Sequence, residues 1–121
     1  MDIKTIDDIL NVSPKELARI YGTDGEATKM PVFYDGSINL ELLSDFMFKI
    51  VNEYSFLMSV LSVLKVEIRQ ARRDREKDLT DDLVDKQSIV SNACEILKTQ
   101  QKTISRLITI EQMKREEVKM Y

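Results

Sequence analysis

The chain has 121 residues, enough for one domain, and its composition favours helices. Charged residues make up 32% and hydrophobic residues 43%, with three glycines, two prolines and no tryptophan. This mixture is too apolar for a disordered tail and too poor in turn residues for a β-sheet protein. The formal net charge of −3 argues against a protein that coats nucleic acid through general positive charge. A local basic patch is still compatible with this net charge.

The first 22 residues predict a short helical element of one or two helices. Ser13 is placed to cap a helix, Pro14 occupies its first position, and Gly22 is expected to end it as a left-handed cap. Upstream, four apolar residues share the spacing of one helical face: Ile3, Ile6, Ile9 and Leu10. Residues 23–37 form the predicted linker, in which the apolar stretch "PVFY" is expected to dock onto a larger body.

Residues 38–121 predict a helical hairpin oligomerisation domain with helices at about 39–76 and 81–117. The first helix is expected to begin at Ser37 or Asn39. One apolar stripe runs along it through Phe46, Ile50, Tyr54, Leu57, Leu61, Leu64 and Ile68. A second stripe lies beside the first and comprises Met47, Val51, Met58, Phe56, Val60 and Val63. Since one antiparallel helix covers only one stripe, we expect the other to contact another subunit or another protein.

The candidate oligomer interface therefore lies within residues 46–68. Its members are Phe46, Ile50, Tyr54, Phe56, Leu57, Val60, Leu61, Val63, Leu64 and Ile68. The second long helix is apolar on one face only, with Leu83, Val90, Leu97 and Ile104 at intervals of seven. Ala93, Cys94, Leu107 and Ile108 fill in that face, and the rest is mostly polar: Gln87, Lys98, Gln100, Gln101 and Lys102.

Between Ile68 and Leu83 the apolar pattern breaks, and two structures are open: a hairpin or one long rod. Thr80 can cap a new helix, and Asp81 and Asp82 then suit its first turn. Basic residues before this point suit a helix C-terminus. These signals favour a hairpin with its turn near residues 77–80, while the absence of Gly and Pro favours the rod.

The basic segment 65–77 carries six Lys or Arg residues against three acids. One interpretation is a solvated hairpin end with local salt bridges from Asp74 and Asp78 to Arg75 and Lys77. The other is a positive collar, formed by several subunits, that holds the DNA backbone without sequence preference. The candidate DNA contacts are Arg69, Arg72, Arg73, Arg75 and Lys77.

We predict no enzymatic role, no cofactor and no metal site. The sequence has no histidine and no glycine-rich phosphate loop. Acidic pairs such as Asp7–Asp8 fit first helical turns, and Cys94 is expected to be a buried structural thiol. The single cysteine suits a reducing compartment, the start lacks a signal-peptide pattern, and charges interrupt residues 46–68. A cytoplasmic location is therefore expected.

Two stretches resemble the small terminase subunits of tailed bacteriophages over roughly residues 40–110. They are "LELLSDFMFKIVNEYSFLMSVLSVLKVEIRQARRDREKDLTDDLVDKQ" and "SNACEILKTQQKTISRL". The second is similar to the return helix in T-even-type phages, and the charged middle to lambdoid relatives. Residues 13–26 are also similar to the first half of a helix-turn-helix, but the second helix of that motif is replaced by "TKMPVFYDG".

The resemblance implies a non-catalytic, ring-forming DNA-packaging subunit. Such a subunit binds double-stranded viral DNA and regulates a large terminase subunit, which performs the nucleotide hydrolysis and cutting. Its place would be the host cytoplasm, with no membrane contact. Two alternatives remain open. One is a coiled-coil adaptor or chaperone that binds a partner protein through its apolar helix and does not bind DNA; the other is a recombination mediator that prefers single strands.

Overall fold

A computed structural model, which describes residues 3–23, 25–30 and 39–119 with side chains up to Glu116, shows an all-α chain. Within these residues the helices are α1 (Ile6–Asn11), α2 (Pro14–Tyr21), α3 (Leu40–Arg73) and α4 (Lys77–Lys119). Helices α3 and α4 pack against each other as a hairpin, which confirms the expected fold over the single rod. The predicted "PVFY" docking and the Ser37 cap lie outside the described residues.

The two short helices begin where side chains can satisfy their free backbone N–H groups. Ser13 Oγ accepts from the backbone N–H of Glu16 at 3.2 Å, and Pro14 occupies the first position of α2, as predicted. Thr5 and Asp8 form a capping box at the start of α1. The sequence analysis missed this box, although Thr5 three residues before an acid was its visible signal.

The prediction of a left-handed cap at Gly22 was wrong. Gly22 has φ −70° and ψ −179°, an extended conformation that any residue adopts. Glycine is nevertheless needed there, because a Cβ on Gly22 would lie 2.3 Å from the carbonyl oxygen of Ala18. Close backbone approach, and not a positive φ, explains the residue.

The core lies along the seam between α3 and α4. Asn39 caps α3, its side chain accepting from the backbone N–H of Leu42 at 2.8 Å. The buried α3 residues are Leu43, Ile50, Leu57, Val60, Leu64, Ile68 and Ala71. All four predicted heptad positions of α4 are buried against them: Leu83, Val90, Leu97 and Ile104. The one-faced character expected of the second long helix is confirmed.

The hairpin turn lies at residues 74–76, earlier than the predicted 77–80. The backbone N–H of Glu76 donates to the carbonyl of Ala71 at 3.0 Å, and that of Arg75 to the carbonyl of Arg72 at 3.2 Å. This pair of bonds is a Schellman motif, which requires a left-handed residue after the cap. Arg75, with φ 56°, takes the position that glycine usually occupies.

The predicted cap at Thr80 was also wrong. Thr80 lies inside α4, and its hydroxyl donates to the carbonyl of Glu76 at 2.8 Å. Threonine can satisfy its hydroxyl within a helix in this way, so a capping residue type did not require a helix start. The turn closes without Gly or Pro because the chain accepts a left-handed arginine.

We expect Arg75→Gly to stabilise the chain by up to about 1 kcal/mol, because glycine lacks the Cβ that makes this conformation costly. Urea unfolding would measure the change. Arg75→Ala is the matched control, since it removes the same charge but keeps the Cβ, and it should leave the stability near that of the wild type. Equal stability of the Gly and Ala variants would contradict the assignment.

Among the described residues, four side-chain hydrogen bonds attach residues 10–28 to the hairpin, one of them from Asn92 Nδ2 to Thr23 Oγ1 at 3.5 Å. Lys86 Nζ, in α4, donates to the carbonyl of Leu10 at 2.7 Å, and Gln100 Nε2 donates to the carbonyl of Thr28 at 2.6 Å. The fourth is a hydrogen bond from the Tyr21 hydroxyl to Glu53 Oε1 in α3. Lys86 and Gln100 are both buried, so the expectation that Gln100 belongs to the polar remainder of α4 was wrong. A buried amide is stable there because a backbone carbonyl accepts its hydrogen bond.

The Tyr21 contact makes stability depend on pH. Burial, together with the hydrogen bond to Glu53, raises the pKa of Tyr21 above its ordinary value. The folded state therefore holds the proton of the Tyr21 hydroxyl more tightly than the unfolded state does. The resulting contribution to the free energy of unfolding is complete below pH of about 10 and is lost as pH rises beyond it.

Tyr21→Phe should cost about 1 kcal/mol at pH 7, and its difference from the wild type should shrink above pH of about 10. Unfolding in urea at a series of pH values checks this. Both proteins carry the same lysines, so parallel curves for the wild type and the variant would contradict it.

Candidate assembly and nucleic-acid interfaces

One side of α3 is apolar and uncovered; we call it the outer face of α3. Its large side chains are strongly exposed: Phe48 (70%), Val51 (42%), Met58 (43%) and Val66 (59%). Exposed serines occupy further positions on this side of the helix, at 44, 55 and 62. These residues recur every three or four positions, so they follow one line along the helix.

The outer face lies opposite the side of α3 that packs on α4. At 100° per residue, Met58 and Val66 project on average about 150° away from buried residues such as Leu57 and Leu64. A helix that is hydrophobic on both sides needs cover on both, and α4 supplies only one. No described part of the chain covers the other.

The predicted oligomer interface divides into two groups in the structure. Five of its residues are buried in the chain's own core: Ile50, Leu57, Val60, Leu64 and Ile68. The others are half-buried along the flanks: Phe46, Tyr54, Phe56, Leu61 and Val63. The predicted interface did not include Phe48 and Val66, the two most exposed large apolar residues of the outer face. Phe48 lies one turn before Val51, and Val66 lies two turns after Met58, so extending that spacing would have found both.

The two ends of the outer face carry opposite charges. Glu41 and Asp45 are exposed at the start of α3, and Arg69 and Arg73 are exposed at its end. Arg69 and Arg73 follow Val66 by three and seven residues, so they continue the line of the outer face. Within the described residues, none of these four groups has an ion-pair partner.

Three of the five residues predicted to contact DNA lie together at the hairpin tip. Arg72, Arg75 and Lys77 line one open recess together with Thr80 and Asp81. All three cations are exposed, and the ion pairs found among the described residues include none of them. The recess is therefore a place where phosphate oxygens could meet several cations at once.

The local salt bridges expected at the tip do not form as predicted. Asp74 instead accepts two contacts from Gln70 Nε2, at 3.2 and 3.1 Å. Exposed acids also surround the cations: Glu67, Asp74, Glu76, Asp78, Asp81 and Asp82. The tip is a surface of mixed sign on which the basic groups are locally concentrated.

The cysteine of this chain lies in the core. Cys94 is 5% exposed, and burial raises the pKa of its thiol, which keeps it protonated and unreactive near neutral pH. Across residues 3–23, 25–30 and 39–116, no cluster of three or more acidic or cysteine side chains could hold a metal ion.

Comparison with protein-family models, with curated proteins and with solved structures gave no match.

By length and composition alone, α3 could cross a membrane, as could the core helix of many soluble proteins. Only 22% of its most apolar 18-residue window is buried. The low buried share reflects the uncovered outer face.

Proposed function

We propose that this chain is a non-catalytic subunit of a homo-oligomeric assembly that holds DNA at its hairpin tips. The observation that carries the proposal is the uncovered outer face of α3. Phe48, Val51, Met58 and Val66 remain in water in the single chain, where large apolar side chains are unfavourable. Association would bury them, and each side chain fully buried contributes about 1.5–3 kcal/mol.

The tip is the proposed DNA surface. Phosphate contact needs cations that are exposed and free of carboxylate partners. Arg72, Arg75 and Lys77 are exposed, and none of them forms an ion pair within the part of the chain that the structure describes. One tip supplies few contacts, so useful affinity requires an assembly in which several tips act on the same duplex.

This combination is the role that the resemblance to small terminase subunits implies. In that role the chain forms part of a ring in the host cytoplasm, binds double-stranded DNA, and regulates a large ATPase and nuclease subunit that performs the chemistry.

The mixed charge of the tip favours a second candidate, an adaptor that binds a partner protein through α3 and never binds DNA. Six exposed acids surround the tip's cations, and a duplex would be repelled by those acids as well as attracted by the arginines. The two candidates differ in one property, the retention of duplex DNA.

We expect the triple variant Arg72→Ala, Arg75→Ala and Lys77→Ala to weaken duplex DNA binding at least about tenfold without changing the mass of the assembly. Because each phosphate contact contributes about 0.9 to the salt dependence, the slope of log K against log salt should fall by about 2 to 3. Gel shift and fluorescence anisotropy at several salt concentrations would measure both effects.

The matched control is Lys98→Ala, Lys102→Ala and Arg106→Ala, which removes three exposed cations from α4 away from the tip. It should bind DNA as the wild type does. If the tip variant retains DNA unchanged, or if both triple variants lose affinity equally, the tip is not the DNA surface. If the wild type retains no duplex at all, the adaptor is the better candidate.

A further inference from the structure

The outer face of α3 is complementary to itself when two copies run in opposite directions. Its start is acidic, with Glu41 and Asp45, and its end is basic, with Arg69 and Arg73. In a parallel pair, acids would meet acids and arginines would meet arginines. In an antiparallel pair, each acidic end meets a basic end, and like charges are separated by the length of the face.

The same register aligns the charges and the largest apolar side chains. If two α3 helices cross at the level of Leu57, Phe48 of one copy lies opposite Val66 of the other. At that register Glu41 lies at the level of Arg73, and Asp45 lies at the level of Arg69. In each of the three pairs the two residues are equally far from residue 57 along the helix. One register therefore aligns all three pairs. Between them, serines at positions 55 and 62 allow the two helices to approach closely.

We propose that the outer face of α3 binds a second copy of this chain in an antiparallel, two-fold symmetric pair centred near residue 57. The proposal rests on the self-association proposed above and gives it a partner orientation and a register. A two-fold contact uses the same patch on both subunits, as the complementary ends require. From Glu41 to Arg73 the contact is about 50 Å long.

The charges distinguish a second copy from a lipid surface. A bilayer could cover Phe48, Val51 and Met58, but it would offer no ordered partners to both a carboxylate pair and an arginine pair. A second copy supplies both, with the correct sign at each end. Exposed ion pairs contribute little affinity individually, and their main effect here is to select direction and register.

The pairing separates the five predicted DNA contacts into two functions. Arg69 and Arg73 contact the partner's acidic end, while Arg72, Arg75 and Lys77 remain in the tip recess. The two tips of a pair then lie at opposite ends. A ring built from such pairs has dihedral symmetry, with tips on both of its faces.

A charge-swap experiment tests the direction of pairing. One variant carries Arg69→Glu and Arg73→Glu, and the other carries Glu41→Arg and Asp45→Arg. Each variant alone should dissociate at a concentration at least about tenfold above the wild-type value, because its two ends now repel. An equimolar mixture should restore the wild-type pairing, since one face is then entirely acidic and the other entirely basic. Light scattering gives the mass, and circular dichroism confirms that both variants remain folded.

Cysteine crosslinking tests the register. Met58→Cys lies near the proposed two-fold axis and should form a disulfide-linked dimer under mild oxidation. Two copies of Phe48→Cys would be about 27 Å apart along the axis, beyond the reach of a disulfide, so this variant alone should not crosslink. A mixture of Phe48→Cys and Val66→Cys chains should crosslink to each other.

The proposal is overturned if Phe48→Cys crosslinks with itself as readily as Met58→Cys, which would indicate a parallel contact. It is also overturned if the charge-swapped mixture stays monomeric, or if the wild type is monomeric and instead binds vesicles of neutral phosphatidylcholine. None of these results depends on DNA. Loss of DNA binding with intact pairing would overturn only the proposed tip function.

Discussion

Helix α3 is apolar around most of its circumference, and the rest of the structure depends on how that surface is covered. Helix α4 offers one apolar line, Leu83, Val90, Leu97 and Ile104, which covers one side. The N-terminal element adds Ile9, Val12, Leu17 and Tyr21 to the same core. These contacts leave the opposite side in water, where Phe48 is 70% exposed. We propose that a second copy of the chain covers this exposed apolar face.

The turn at Arg75 determines where α4 begins to pack back along α3. By closing a Schellman motif directly after α3, it reverses the chain at the point where the apolar pattern stops. The arginines near that end are thereby placed on two different surfaces. Arg69 and Arg73 continue the outer face, while Arg72 and Arg75 lie at the recess of the tip. We propose that Arg69 and Arg73 serve self-association, and that Arg72 and Arg75 serve phosphate binding.

The sequence predicted the elements well because periodicity and capping are local signals. The heptad line of α4, the Ser13 cap and the hairpin itself could all be read directly. The position of the turn could not be predicted, because nothing in the sequence marks an arginine that adopts a left-handed conformation. Thr80, a residue type common at helix caps, also lies inside a helix. The burial of Lys86 and Gln100 could not be predicted either, because their acceptors are backbone carbonyls 76 and 72 residues away. The interface itself remains a prediction. The sequence did not show which side of α3 stays exposed, because a helix with several apolar stripes does not reveal which one its own chain will cover.

The most direct test of the account is the absolute mass of the purified wild-type chain by light scattering over a wide range of concentrations. We predict an assembly of an even number of 14.1 kDa chains, which on dilution dissociates to the two-chain form before it dissociates to the monomer. A mass of one chain at every concentration, with the helices intact, would contradict the claim that the outer face of α3 is covered by another copy.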